Sequence, residues 1–148
     1  MIDKKDDRFL DQNIKGLMMS LVTAWNAQMD AARADTEFAS VRPADIRVFA
    51  QLRGRAIRLS EIHREMGFSR QAAQQAIGRL VDEGMLQIEA VPGNKRDKLL
   101  RITEKGQRWR SIAAREIRTI EAQCAAIIGE DGKEKLRHYL ASLLESQR

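Results

Sequence analysis

Cysteine is almost absent: Cys124 is the only one in 148 residues, so no internal disulfide can form. A fold without that staple rests on its buried core, and a reducing cytoplasm is its natural home. Proline occurs only twice, at Pro43 and Pro92. So few helix breakers in a helix-friendly composition point to a mostly α fold. Long apolar runs are missing as well. No stretch approaches the roughly 18–20 apolar residues needed to cross a bilayer. The opening Met1-Ile2-Asp3-Lys4-Lys5-Asp6-Asp7 lacks the apolar centre of a signal peptide. A membrane is therefore not an expected partner. Catalytic patterns are missing too: no paired acid and base, no nucleophile triad and no glycine-rich phosphate loop is legible. His63 and His138 stand far apart and lack cysteine partners, which speaks against a metal site. Neither an enzyme nor a bound cofactor is expected.

What the chain does have is charge, unevenly spread. Apolar residues make up 43% and charged residues 32%, fitting a soluble globular protein of one domain. The formal net charge is +5. Residues 1–50 carry 7 Lys/Arg against 8 Asp/Glu, and residues 111–148 carry 6 against 6. Residues 51–110 carry 13 against 7, so the whole positive excess sits in the middle. Localised positive charge is the footprint of phosphate binding.

At the centre of that segment lies Ser69-Arg70-Gln71-Ala72-Ala73-Gln74-Gln75-Ala76-Ile77-Gly78-Arg79-Leu80. At 100° per residue, Ala73, Ala76, Ile77 and Leu80 share one side of a helix. Gln71, Gln74, Gln75 and Gly78 share the other, flanked by Arg70 and Arg79. Ser69 suits the N-cap and Gly84 the C-terminal stop. Most exposed helices show Glu and Lys; this one shows neutral amides between arginines. Gln can bond bidentately to adenine in a major groove, and Arg reaches phosphate or guanine. The pattern predicts a DNA recognition helix, and a solvated Gln-rich helix is the plainer alternative.

The flanking residues supply context. Residues 1–7 are expected to fray. From Arg8 to Ala32, apolar residues at three- and four-residue spacing predict a single helix of about 25 residues, roughly 38 Å long. So long a stripe exceeds what a small domain covers, which suggests another subunit. Pro43 suits the first turn of a second helix, which Gly54 stops. Ile57-Arg58-Leu59 reads as a short extended link. Ser60 is expected to cap a third helix that turns Ile62, Met66 and His63 inward, and Gly67-Phe68 to turn the chain into the Ser69 helix. Beyond Gly84, the alternation in Met85–Val91 predicts a half-buried strand. Pro92-Gly93-Asn94 reads as a turn, Lys95–Lys98 as a charged tip and Leu99–Ile102 as a returning strand. Thr103 is expected to cap a long helix that breaks at Gly129–Gly132 before a last helix. The reading is thus mostly α with a small β wing. Residues 42–108 form a winged helix-turn-helix lobe, and residues 8–33 and 110–148 form dimerisation helices.

This order resembles the MarR family of winged-helix transcription regulators. The likeness is carried by the Leu-Ser-Glu-Ile helix, the Gly-Phe-Ser turn, the recognition helix and Leu-Val-Asp-Glu-Gly-Met-Leu into the wing. It closes on Arg101-Ile-Thr-Glu-Lys-Gly106. The resemblance implies a cytoplasmic homodimer, acting as a repressor on double-stranded DNA with a pseudo-palindromic operator. Recognition helices would enter major grooves and wings would enter minor grooves. Release by a small aromatic ligand or by cysteine oxidation is also implied. The family's sensing cysteine lies in the first helical region, where this chain has none, so Cys124 reads as a structural thiol. Where the family wing carries Asp-x-Arg, this chain has Asn94-Lys95-Arg96. Arg96 then fits the minor groove, while Asn94 accepts a hydrogen bond but forms no ion pair. His63 stands where a small residue is usual, and Gly78 where an acidic one is common.

The expected assignments follow. Gln71, Gln74 and Gln75 read bases, and Ala72 touches a thymine methyl. Ser69, Arg70 and Arg79 hold phosphates. Arg96, Lys95 and Lys98 serve the wing. Trp25, Phe49 and Trp109 are candidates for a ligand pocket between the dimer helices and the lobe, with core packing as the plainer role. The rival function is a winged-helix module that docks a protein partner without binding DNA.

Overall fold

Short polar side chains and glycines set the helix ends. Asp3 caps α1 (Lys4–Gln12), its carboxylate accepting from the Lys5 N–H at 2.9 Å, and Asp6 and Asp7 lie in the first turn. Negative charge there complements the helix dipole, so the expected fraying of residues 1–7 gives way to helix from Lys4 onward. Asn13 then interrupts the expected single helix. Its backbone is extended, at ψ 156°, and its Oδ1 accepts from the Gly16 N–H at 2.8 Å. Its amide nitrogen donates to the Leu10 carbonyl at 2.7 Å. A side chain that satisfies the backbone on both sides competes with helical continuation, and α2 (Ile14–Arg33) starts afresh.

The computed structural model describes residues 1–66 and 69–148, and they form two compact units. One comprises residues 1–32 with 114–148, the other residues 33–113. The expected Gly67-Phe68 turn lies outside the described residues, and so do the side chains of His63 and Met66, whose inward placement is expected.

In the lobe of residues 33–113, Pro43 opens α3 (Pro43–Gln51) in its first turn. Leu52 closes it, and Arg53 and Gly54 both take positive φ, at 54° and 75°. The short link Ile57–Arg58 is a strand, β1, followed directly by α4 (Leu59–Met66). Next come α5 (Arg70–Asp82), β2 (Leu86–Val91) and β3 (Asn94–Ile102). The sheet is antiparallel with order β1-β3-β2, and Ile57 pairs with Leu100. Phe38, Leu52, Leu80 and Met85 are fully buried, with Phe49, Ile62, Ile77 and Leu100 beside them.

Three expectations shift. Ser60 lies inside α4, which begins at Leu59, and its hydroxyl donates to the β3 carboxylate of Asp97 at 2.8 Å in a charge-assisted bond. The hairpin turn is Pro92-Gly93, so Lys95–Lys98 belong to β3 and not to a loose tip. The alternation of β2 is not matched by burial: Leu86 is buried but Ile88 is 46% exposed. The outer hairpin extends beyond the core that buries its base.

Between β3 and α6 (Glu104–Glu145) the backbone is close-packed. The Thr103 hydroxyl accepts from the Gly106 N–H at 3.1 Å, as a cap does, and donates to the Gly84 carbonyl. Gly84 has φ 77°, and the Met85 N–H returns to the Leu80 carbonyl at 3.0 Å, closing α5 in a Schellman-type end. A Cβ on Gly106 would stand 2.5 Å from the Met85 carbonyl oxygen and 2.7 Å from Ile102 Cγ2.

The helical unit holds α1, α2 and the later part of α6. Gly129, at φ 80° and ψ 161°, breaks α6 where the break is expected. On a straight helix, residues 16 apart are roughly 24 Å apart. Arg137 nevertheless pairs with Glu121 across that separation, so the chain folds back at Gly129. Gln28 donates to Glu116 at 3.0 Å, and Ile120 is buried.

Gly106→Ala should destabilise the lobe by about 1–3 kcal/mol, the usual cost of overpacking. A denaturant melt checks this, and an unchanged midpoint would contradict the close approach described.

Candidate nucleic-acid interface

Helix α5 is organised by its inner side. Ala73, Ala76, Ile77 and Leu80 are at most 4% exposed, and their small or compact shapes let the helix lie close on the lobe. Ser69, with extended ψ of 150°, accepts from the Ala72 N–H at 3.1 Å and starts the helix as expected. With the inner side fixed, helical phase turns Gln71, Ala72, Gln74, Gln75 and Gly78 outward, and all five are exposed, as are Ser69 and Arg70.

Arg79 has a partner that spacing alone does not reveal. Its Nε and Nη2 donate to the two carboxylate oxygens of Asp45 at 2.8 and 2.9 Å. The Asp45 side chain is 3% exposed and that of Arg79 is 37% exposed. A buried carboxylate needs such a fork of donors, so the expected phosphate-holding guanidinium is engaged in tying α5 to α3. Nothing local signals this pair: Asp45 is 34 residues away and reads as an ordinary first-turn acid.

The wing contributes from β3. Asn94 Oδ1 accepts from the N–H groups of Arg96 and Asp97, at 3.0 and 3.2 Å. The amide thus supplies by hydrogen bonds some of the order that an ion pair would supply elsewhere. Asp97 in turn accepts from Ser60 and from the Lys98 N–H. The Ser60 hydroxyl, foremost, holds the Asp97 carboxyl below its ordinary value of 3.8. The bond joins β3 to α4.

These elements enclose a cleft of about 160 Å³, lined by Leu59, Ser60 and Ile62 of α4, Arg70, Ala73 and Gln74 of α5, and Arg96 and Asp97 of β3. Two expected residues of the recognition helix, Arg70 and Gln74, therefore share a cleft with the expected wing arginine. Lys95 and Lys98 are exposed on the same strand but do not line it. The residues that sequence reasoning did not single out here are Ser60 and Asp97. Each reads singly as a cap or a tip charge, and only the packing of α4 against β3 pairs them.

The aromatic candidates are not alike. Phe49 and Trp109 are each 2% exposed in the lobe core, and the Trp109 ring lies 5.5 Å from that of Phe38. Trp25 is half-buried in the helical unit. Cys124 is also half-buried. Among the described residues no group of His, Cys, Asp and Glu could hold a metal, and no helix is long and apolar enough to cross a membrane.

Comparison with known proteins finds the fold elsewhere. Residues 40–97 match the model of the MarR family. A crystal structure of MarR superposes with a TM-score of 0.75 at 17% identity, covering 92% of this chain and 98% of that one. A MarR protein from Peptoclostridium difficile gives 0.72 at 20% identity, covering 99% and 92%. A protein from Listeria monocytogenes, described as a MarR-family transcriptional regulator and complexed with 26mer DNA, gives 0.70 at 20% identity, covering 91% and 89%. At such identities the likeness is one of fold. No curated protein sequence matches the chain.

Arg79→Ala should lower the melting temperature by several degrees, because it leaves the buried Asp45 carboxylate without its cation. The exposed Arg70→Ala should barely move it. Equal midpoints for the two variants would remove the distinction drawn between them.

Proposed function

We propose that the protein is a homodimeric, sequence-specific DNA-binding transcription regulator, starting from the match of residues 40–97 to the MarR family model. The observation that carries the reading is the shared cleft: Arg70 and Gln74 of α5 line it together with Arg96 of the wing. Around it, Gln71 and Gln75 are exposed and the surrounding segment holds the chain's entire positive excess. Amides present paired donors and acceptors to base edges, while arginines neutralise phosphates. Gln71, Gln74 and Gln75 read bases and Ala72 meets a thymine methyl. Ser69 and Arg70 hold the phosphate backbone, and Arg96, with Lys95 and Lys98, serves the flanking groove.

Dimerisation is supported by apolar surface in the helical unit. Phe9, Leu10 and Ile14 are 66%, 59% and 73% exposed, and Tyr139, Leu143 and Leu144 are 58–59% exposed. Exposed apolar side chains in such number mark an interaction surface, and a second copy is the occupant proposed here. The repressor role and release by a small aromatic ligand rest on the family likeness alone.

Selection from a random duplex pool should yield a two-fold consensus with half-sites about one helical turn apart. Arg96→Ala should weaken binding many-fold and make the salt slope shallower by about 0.9 for each phosphate left without its cation. Gln74→Ala should chiefly relax base preference. If Arg96→Ala leaves affinity unchanged, the wing assignment is wrong. If the full chain binds no duplex at low salt, the protein-docking alternative replaces this reading. Sedimentation should find a dimer, and a monomer at micromolar concentration would refute the self-association.

A further inference from the structure

Gly78 has no structural reason, among the described residues, to be glycine. It lies inside the 13-residue helix α5, on the exposed side. It is not among the glycines with positive φ, which are Gly54, Gly84, Gly93 and Gly129. A Cβ added to it meets no described atom within 4 Å, whereas at Gly106 the same atom would collide with backbone. Neither conformation nor packing therefore requires a bare Cα. Glycine is, after proline, the poorest residue for a helix interior, so the fold gives up stability at this position.

The gap falls on a particular line. Gln71, Gln74, Gln75 and Gly78 follow the i, i+3, i+4, i+7 pattern of a single helical stripe. Three long amides reach outward along it, and then the side chain vanishes. From Gln71 to Gly78 the axis advances roughly 10 Å, close to the ~12 Å width of a major groove. A helix that entered the groove N-terminus first, with its first turns on base edges, would carry Gly78 up to the groove wall, where the sugar–phosphate backbone runs.

We propose that Gly78 is a clearance position, at which the missing side chain lets the backbone of bound DNA come against the backbone of α5. This rests on the DNA-binding reading and deepens it, by assigning how closely the helix seats. An acidic side chain would repel phosphate here, and any side chain would hold the helix away by its own thickness.

Gly78→Ala and Gly78→Leu replace a poor helix former by two good ones in open space, so both variants should fold. The full chain and both variants are compared by thermal melting and by titration with the duplex that the unaltered chain selects from a random pool. The expected result is a melting temperature raised by a few degrees together with weaker binding. The weakening should be roughly tenfold for Ala, the scale of one mismatched base pair, and greater for Leu. A merely structural glycine would give the raised melting temperature alone. Binding within about twofold of the unaltered chain for both variants overturns the clearance role while leaving the DNA-binding reading in place. Failure of the unaltered chain to bind any duplex overturns both.

Discussion

A carboxylate taken almost wholly out of water has to meet a cation, and Asp45 meets Arg79. The outward face of α5 depends on that requirement. The bidentate geometry ties α3 to α5 at one point, while Ala73, Ala76, Ile77 and Leu80 settle α5 on the lobe along its length. A helix held by small side chains and a bidentate ion pair has little freedom to roll about its axis. Rolling would carry the glutamine stripe away from the cleft shared with Arg96, and a bidentate pair resists it because both hydrogen bonds would lengthen together.

The second constraint is the junction of α5, β3 and α6. Thr103 caps one helix and bonds to the end of another, and Gly106 lets α6 approach the Met85 carbonyl more closely than any side chain permits. The base of the wing is thereby held to the lobe. Its outer part is held differently, by Asn94 within the turn and by the Ser60–Asp97 bond to α4. The wing is thus anchored through polar contacts next to the residues proposed to bind phosphate. That suits a surface that must stay open to a charged partner and cannot be buried under apolar cover.

Glycine serves different ends along the chain. At Gly84 and Gly129 a positive φ redirects the chain, and at Gly106 the absence of Cβ allows a close approach inside the fold. At Gly78 neither applies among the described residues, and the approach proposed for it is to bound DNA. The apolar surfaces of α1 and of the last stretch of α6 pose a similar question at larger scale, since side chains such as Phe9 and Leu144 remain exposed in a single copy.

Much of this architecture is local and could be read from residue order. The 3.6-residue periodicity of α5, the Ser69 cap, the stops at Gly54 and Gly84 and the break at Gly129 each depend on neighbours within a turn or two. So does the outward stripe of glutamines, because helical phase alone decides which side chains share a face. The interruption at Asn13 is hidden in the sequence because its amide acts as donor and acceptor at once, while apolar periodicity runs on either side. Other features join residues distant along the chain, and no local pattern encodes them. Arg79 looks like one more basic side chain until α3 brings Asp45 beneath it. Ser60 looks like a cap until β3 brings Asp97 opposite, and only the closed lobe shows that Phe49 and Trp109 lie buried in its core. Sequence by itself determined most of the elements and the outward chemistry of α5, because those follow from near-neighbour sterics and hydrogen bonding. Tertiary structure alone decided which charges were left exposed, because pairing across the fold depends on distances that chain order does not contain.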